Sequence, residues 1–232
     1  MWKKHIRGAF FTQSEFLITD RKNHIYNRRN VVKWRKRKSA ENGETADLEK
    51  EETNMYFGVQ MYGVSKKWKQ DPEGFLKKIY EAGYRQIEPC LGFRVDARDY
   101  GFWIPEDLEQ AMPLLAKYHI EVHAVHIFLD KYHYERELAI LTELAQKYHI
   151  SWFVVKSPAR LTKDVLDETA ARYRELAEEL EKAGAGLLIH NEKEDICIRV
   201  NGKTAYEYLL EACGEKVGAE VDAGWMYCGG VD

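Results

Sequence analysis

Four ionisable side chains in this chain each close a short apolar run: Glu88, His126, His190 and Asp222. A carboxylate at the end of a buried strand can act as a base, accept from a substrate hydroxyl or ligate a metal. Imidazole nitrogen combined with carboxylate oxygen suits Mn, Fe, Co or Zn, and catalytic sites keep a position open for water or substrate. His190-Asn191-Glu192 places three polar groups directly after Leu187-Leu-Ile189, a density that packing alone explains poorly. Lys156 closes a fifth run and could neutralise an enolate or phosphate, or simply reach solvent. Singly, each has a plain reading, a loop-edge carboxylate or a structural histidine. Their recurrence at strand ends is the signal.

The elements that must carry these residues repeat. Strand starts near Tyr84, Ile120, Ile150, Ala185 and Lys216 are 36, 30, 35 and 31 residues apart. That spacing accommodates a strand, a crossover helix and a return to a parallel neighbour. The expected strands are Tyr56–Val64, Tyr84–Cys90, Ile120–Phe128, Ile150–Lys156, Gly186–Asn191 and Val217–Asp222. Asp71-Pro72 opens a helix that ends at Gly83, since Asp caps free N–H groups and Pro fits the first turn. Further helices are expected from Pro105 to near His119, through Leu138–Ala145, over 163–182 behind a Thr162 cap, and around Tyr206–Cys213. Lys193-Glu-Asp195 reads as a solvated loop, and Gly224 and Gly229-Gly230 as turns.

An open doubly wound sheet and a (β/α) barrel share this pattern. No strand-to-helix turn carries GxGxxG or a Walker motif, and the polar residues cluster at carboxyl ends of strands, so the barrel is preferred. The fold class is therefore α/β, an incomplete TIM-barrel-like (β/α) unit of about six strands of eight over 55–232. Within strand three, alternation sends His123 and His126 to opposite faces, with His126 toward the mouth and His123 under a helix. Glu220 shares the parity of Asp222, one layer deeper.

Composition sets outer bounds. A net charge of −3 over 232 residues, with 45% hydrophobic and 31% charged residues, points to neither nucleic acid nor a membrane surface. Four dispersed cysteines form no CxxC pair, so reduced thiols and a cytoplasmic location are expected. No apolar run approaches the roughly 20 residues of a membrane span. Residues 1–38 hold twelve Lys or Arg against two acidic residues, and residues 41–52 reverse the sign with six acidic residues and one lysine. Residues 1–54 are expected to be a disordered extension, with a nucleic-acid arm as the other reading. A third reading is translated leader: Lys50-Glu-Glu-Thr-Asn-Met55 is what a purine-rich ribosome-binding site before a start codon would encode, with Met55 as the start.

Gly58-Val-Gln-Met-Tyr, Asp71 to Glu88, Val125-His126, Leu188-Ile-His-Asn191, Glu220-Val-Asp-Ala-Gly-Trp225 and Gly230-Val-Asp232 together resemble the sugar phosphate isomerase/epimerase family, the xylose isomerase-like TIM barrels. The resemblance implies metal-assisted proton transfer (isomerisation, epimerisation or dehydration) on a small sugar, inositol or keto sugar. It implies His190 and Asp222 as ligands of a divalent metal (Mn, Mg, Co or Zn). Glu88, His126 and Glu192 would be catalytic, and Lys156, Asn191 and Trp225 would meet the substrate. Where relatives read His-Asn-His, this chain has His190-Asn191-Glu192. Relatives continue with two more strands that supply a His ligand and a Glu that is both ligand and base. Without them the metal is expected to bind weakly, and strands one and six to be open edges prone to self-association. The alternatives are an inactive fragment, a fragment completed by another chain, or the metal-dependent nuclease branch of the same barrel. The nuclease branch would need a basic groove and a trinuclear ligand set.

Overall fold

The computed structural model describes residues 57–129 and 133–231. The extension over 1–54, the start at Met55 and the first residue of strand one lie outside the described residues.

Six parallel strands follow one another in chain order, each beside the last. They are β1 (Gly58–Gln60), β2 in two pieces (Gln86–Glu88 and Cys90–Leu91), β3 in two pieces (Glu121–Val122 and Ala124–Ile127), β4 (Trp152–Lys156), β5 (Gly186–His190) and β6 (Val217–Glu220). β2 breaks at Pro89, which has no N–H to give, although its carbonyl still accepts from His126 at 2.9 Å. β3 breaks at His123, whose carbonyl takes the Ser151 and Trp152 amides, both at 3.2 Å.

The crossover elements are helices α1 (Ser65–Gln70), α2 (Pro72–Glu81), α3 (Pro105–Lys117), α4 (Tyr134–Tyr148), α5 (Lys163–Lys182), α6 (Lys193–Cys197), α7 (Ala205–Cys213) and α8 (Ala223–Cys228). Asp71 caps α2 as expected, accepting from Gly74 N at 2.9 Å. Thr204 and Glu207 form a reciprocal box at the start of α7, with Glu207 N donating to Thr204 Oγ1 at 3.0 Å and Thr204 N to Glu207 Oε2 at 2.9 Å. Thr162 stands at the head of α5, but its side chain makes no capping bond.

Three expectations need correction. Strand one ends at Gln60, not Val64, because the Gln60 amide turns back to accept from Tyr62 N at 2.8 Å and the chain enters a 3-10 turn and α1. Lys193-Glu-Asp195 is not a solvated loop but the start of α6, with Asp195 buried and accepting from Glu192 N at 2.9 Å. Gly224 lies inside a helix, Ala223–Cys228, rather than in a loop, while Gly229-Gly230 form a turn as expected.

Alternation along the strands builds two layers. Ile87, Val125, Ile127, Phe153, Val155, Leu187 and Ile189, all nearly inaccessible, face the helices. Each such side chain contributes roughly 2 kcal/mol of burial. The opposite parity points into the barrel. Trp152 lies over Gly186, where an added Cβ would come within 2.3 Å of the indole. Ala124, Val154 and Leu188 form the next interior cluster. Two residues further toward the carboxyl ends, the interior turns polar, and the change is abrupt.

β1 pairs only with β2, and β6 only with β5, among the described residues. The sheet curls but does not close.

Candidate functional site

The polar layer follows directly from register. His126 stands opposite Cys90 and Val154, and His190 stands opposite Lys156 on one side and Glu220 on the other. Glu88, His126, His190, Glu220 and Asp222 are all at most 9% exposed. His126 Nδ1 lies 3.7 Å from Glu88 Oε1, and His190 Nε2 lies 3.5 Å from Asp222 Oδ2. The two imidazole rings meet edge to face, with centroids 5.3 Å apart. Four of the expected site residues are thus brought to one place.

Glu220 is the residue that sequence parity undervalued. Ligand atoms of Glu88, His126 and Glu220 lie within 4.8 Å of one another. Both oxygens of Glu88, both of Glu220 and Nδ1 of His126 have no hydrogen-bond partner, although Glu88 and Glu220 are fully buried. Bare carboxylates in such a place are costly unless a proton or a cation satisfies them. Burial pushes the Glu88 carboxyl up to about 7, with His190 opposing. Burial, reinforced by Glu88 and Asp222, raises Glu220 well above the ordinary range. Burial, then the charges of His190 and Lys156, lowers His126 to about 3, so this imidazole is neutral near pH 7 with a lone pair to offer. The Glu88–His126 contact is therefore dipolar rather than a salt bridge. A neutral imidazole nitrogen with two unsatisfied carboxyl groups, which a bound cation would hold as carboxylates, is a set that fits a divalent transition metal.

The remaining expected residues sit around this layer in different ways. Asn191 is fully buried, and both ends of its amide engage the Asp222 backbone: Nδ2 donates to the carbonyl at 3.2 Å and Oδ1 accepts from the amide at 2.8 Å. It fixes the ends of β5 and β6 to each other. Asp222 Oδ1 accepts from Trp225 N at 2.9 Å and so caps α8, leaving Oδ2 toward His190. Lys156 Nζ and Glu192 Oε1 are 3.3 Å apart on the rim, nearly half exposed. Trp225 is 40% exposed, in the first turn of α8. His123 lies off this layer, and burial lowers it to about 4.

An aromatic wall at the mouth was not anticipated. Phe102 stacks on Phe128 at 4.3 Å and 9°, Phe128 stacks on His126 at 5.2 Å, and Tyr62 leans on Phe102 at 5.9 Å. Lys156 Nζ lies 5.9 Å above the Phe128 ring. The only hint in sequence was Phe128 two places after His126, since Tyr62 and Phe102 come from other segments. A cavity of about 240 Å³ adjoins this wall, lined among others by Gly92, Phe93, Arg94, Phe102, Phe128 and the buried Glu137. The layer of Glu88, His126, His190, Glu220 and Asp222 is not part of its lining.

No protein-family model matches the chain, and no curated protein matches it. Solved structures do. A sugar phosphate isomerase/epimerase from Parabacteroides distasonis ATCC 8503 is 21% identical over 75% of this chain and 68% of its own, with a TM-score of 0.61. A xylose isomerase domain containing protein from Salmonella typhimurium LT2 is 12% identical over 75% and 62%, TM-score 0.53. An L-ribulose 3-epimerase is 18% identical over 73% and 61%, TM-score 0.51. The chain spans about two thirds of the length of these proteins. What they share with this chain is the fold, a TIM-barrel-like (β/α) arrangement with six parallel strands among the described residues.

Proposed function

On this scaffold, we propose that the buried polar layer moves a proton next to a carbonyl of a small sugar, inositol or related keto compound, giving isomerisation, epimerisation or dehydration. The supporting observation is the convergence of Glu88, His126, His190, Glu220 and Asp222 at the carboxyl ends of the strands, where barrels of this kind place their chemistry. A divalent metal (Mn, Mg, Co or Zn) fits the unsatisfied donors. When bound, it would supply Lewis-acid stabilisation of negative charge developing on the substrate oxygen. His190 and Asp222 are the holders that the family resemblance implies, and Glu88, His126 and Glu220 are the three whose ligand atoms converge.

The chain's own groups can serve the other needs of the reaction. A carboxyl carried up to about 7, as Glu88 is, both takes and returns a proton near neutral pH. Glu192, on the rim beside Lys156, is a second proton carrier within the same mouth. Lys156 offers positive charge to a substrate oxygen, and the wall of Phe102 and Phe128 offers an apolar face to the C–H side of a sugar ring. Asn191 orients Asp222 through its backbone, and Trp225 flanks the rim.

The test is solvent deuterium exchange into a panel of keto sugars and keto inositols, followed by NMR, with the full chain and added Mn²⁺. Exchange at a carbon next to a carbonyl, lost in Glu88→Gln, is expected. Absence of exchange across the panel, or exchange indifferent to Glu88→Gln, overturns the reading.

Among the described residues β1 and β6 each pair on one side only, which favours a second reading, in which the working form is an assembly with strands paired across β1 and β6. Light scattering on the full chain separates the two: a monomer that performs exchange excludes the assembly.

A further inference from the structure

The cavity beside the aromatic wall is built from groups that the proposed reaction leaves idle. Phe93, Phe102 and Phe128 give it apolar surface, and Arg94, Asp96 and Glu137 give it charge. Arg94 and Asp96, both exposed, meet in two parallel bonds of 3.1 Å. Glu137 is of another kind. It stands in the first turn of α4, is 2% exposed, and lines both this cavity and a second of about 130 Å³ that shares Phe93 and Arg94 with it. Carboxylates are rarely so buried, and one in the wall of a cavity supplies an acceptor to whatever enters.

The surroundings are apolar. Tyr62, Val95 and Tyr100 are large and exposed, and both tyrosines lean on Phe102, at 5.9 and 6.3 Å between centroids. Exposed apolar groups gathered in one place mark a binding surface. From Phe102 the aromatic series continues to Phe128 at 4.3 Å and to His126 at 5.2 Å. The cavity is therefore one ring, Phe128, away from the buried polar layer. A ligand that reaches both is longer than a single sugar ring.

We propose that this cavity is a subsite for a second sugar ring, so that the substrate is a keto sugar joined through a glycosidic oxygen to a hexose. The proposal rests on the reading of the polar layer as the seat of the reacting ring, and it names the class of substrate. Phenylalanine faces suit the C–H face of a hexose, Arg94 donates to its hydroxyls, and Asp96 and Glu137 accept from them. An aryl group in the same place would use the phenylalanines but leave Glu137 against an apolar surface.

The probes are D-glucose and the glucose disaccharides, α- and β-linked through each hydroxyl, added to the full chain and followed by calorimetry and saturation-transfer NMR. Binding is read, not turnover. At least one disaccharide is expected to bind about tenfold more tightly than glucose, with saturation reaching the protons of both rings. Arg94→Ala and Glu137→Gln should each reduce that preference about threefold or more and leave glucose binding as it was. Arg94 is exposed, so Arg94→Ala should keep the wild-type Tm, and it decides alone if Glu137→Gln fails to fold. Disaccharides that bind no more tightly than glucose overturn the subsite, as does a preference indifferent to Arg94→Ala or to a folded Glu137→Gln. Phenyl glucosides that bind more tightly than every disaccharide overturn the choice of a sugar ring. Deuterium exchange into keto monosaccharides without any disaccharide preference removes this subsite and leaves the proposed reaction. A disaccharide preference without exchange into any keto sugar does the reverse.

Discussion

Asn191 and Asp222 are joined twice, side-chain amide to backbone, by bonds of 3.2 and 2.8 Å inside the protein. The bonds tie the carboxyl end of β5 to that of β6 and set where the Asp222 carboxylate points. Asn191→Ala removes both and takes the Asn191 partner from the buried Asp222 N–H, while the Asp222 carbonyl keeps the Met226 amide at 2.9 Å. A loss of about 2 kcal/mol in urea denaturation is expected, with Asp222-dependent activity falling more than stability does. A variant as stable as wild type would show that the latch carries no strain-bearing role.

The pH dependence of the metal-free protein should carry the signature of Glu88. Its folded value of about 7 exceeds the ordinary 4.5, so the folded state holds the proton more tightly than the unfolded one. The stability this group contributes is present below 4.5 and is lost as pH rises through 7, by about 3 kcal/mol in all. Glu88→Gln cannot lose it. The stability advantage of the variant over wild type should therefore grow across that window, and an advantage that stays flat would contradict the burial argument.

His126 and His123 work in the opposite sense. Burial lowers them from 6.5 to about 3 and about 4, so the unfolded state binds the protons more readily. Their contribution is present above 6.5 and fades as pH falls through the folded values. His126→Gln should flatten the acid limb of a Tm-against-pH curve without altering it above pH 7.

The interior glycines should differ in their tolerance of a methyl group. At Gly186 the added Cβ would meet the rigid indole of Trp152 at 2.3 Å, while at Gly218 it would meet the movable Cδ2 of Leu188 at 2.7 Å. Gly186→Ala should cost about 2 kcal/mol and Gly218→Ala under about 1 kcal/mol, read from denaturation midpoints. Equal costs would show that the indole can shift.

Lys156 and Glu192 form a half-exposed pair at 3.3 Å, and such pairs contribute about 0–1 kcal/mol. Lys156→Met should leave Tm nearly unchanged yet raise KM about tenfold, the loss of about 1.4 kcal/mol of substrate binding. A change in Tm without a change in KM would make the lysine structural.

Much of the framework was legible in the chain because it is periodic. The strand spacing and the polar strand ends gave β2 to β6 and brought Glu88, His126, His190 and Asp222 to one mouth. What escaped depended on three dimensions. Parity put Glu220 a layer below Asp222, but the stagger between neighbouring strands lifts it level with His190 and within reach of Glu88. Asn191 has the chemistry of a substrate contact, and only the nearness of the Asp222 backbone shows its amide to be occupied. α6 is a single short helix with no apolar repeat to announce it, so the burial of Asp195 left no trace in the sequence pattern. The wall of Tyr62, Phe102 and Phe128 is assembled from three separate segments of the chain.

Among the described residues β6 pairs on one side only, and this has a further consequence for how the site breathes. Glu220 rides on β6 and Asp222 directly follows it, while His126 rides on β3, which is paired on both sides. Amide hydrogen exchange reads such differences as separate opening reactions. The buried polar layer therefore joins two parts of unequal protection, one wall opening with the edge strand and the other only with the whole sheet. The amides of β6 should then exchange at a lower free energy than that of His126.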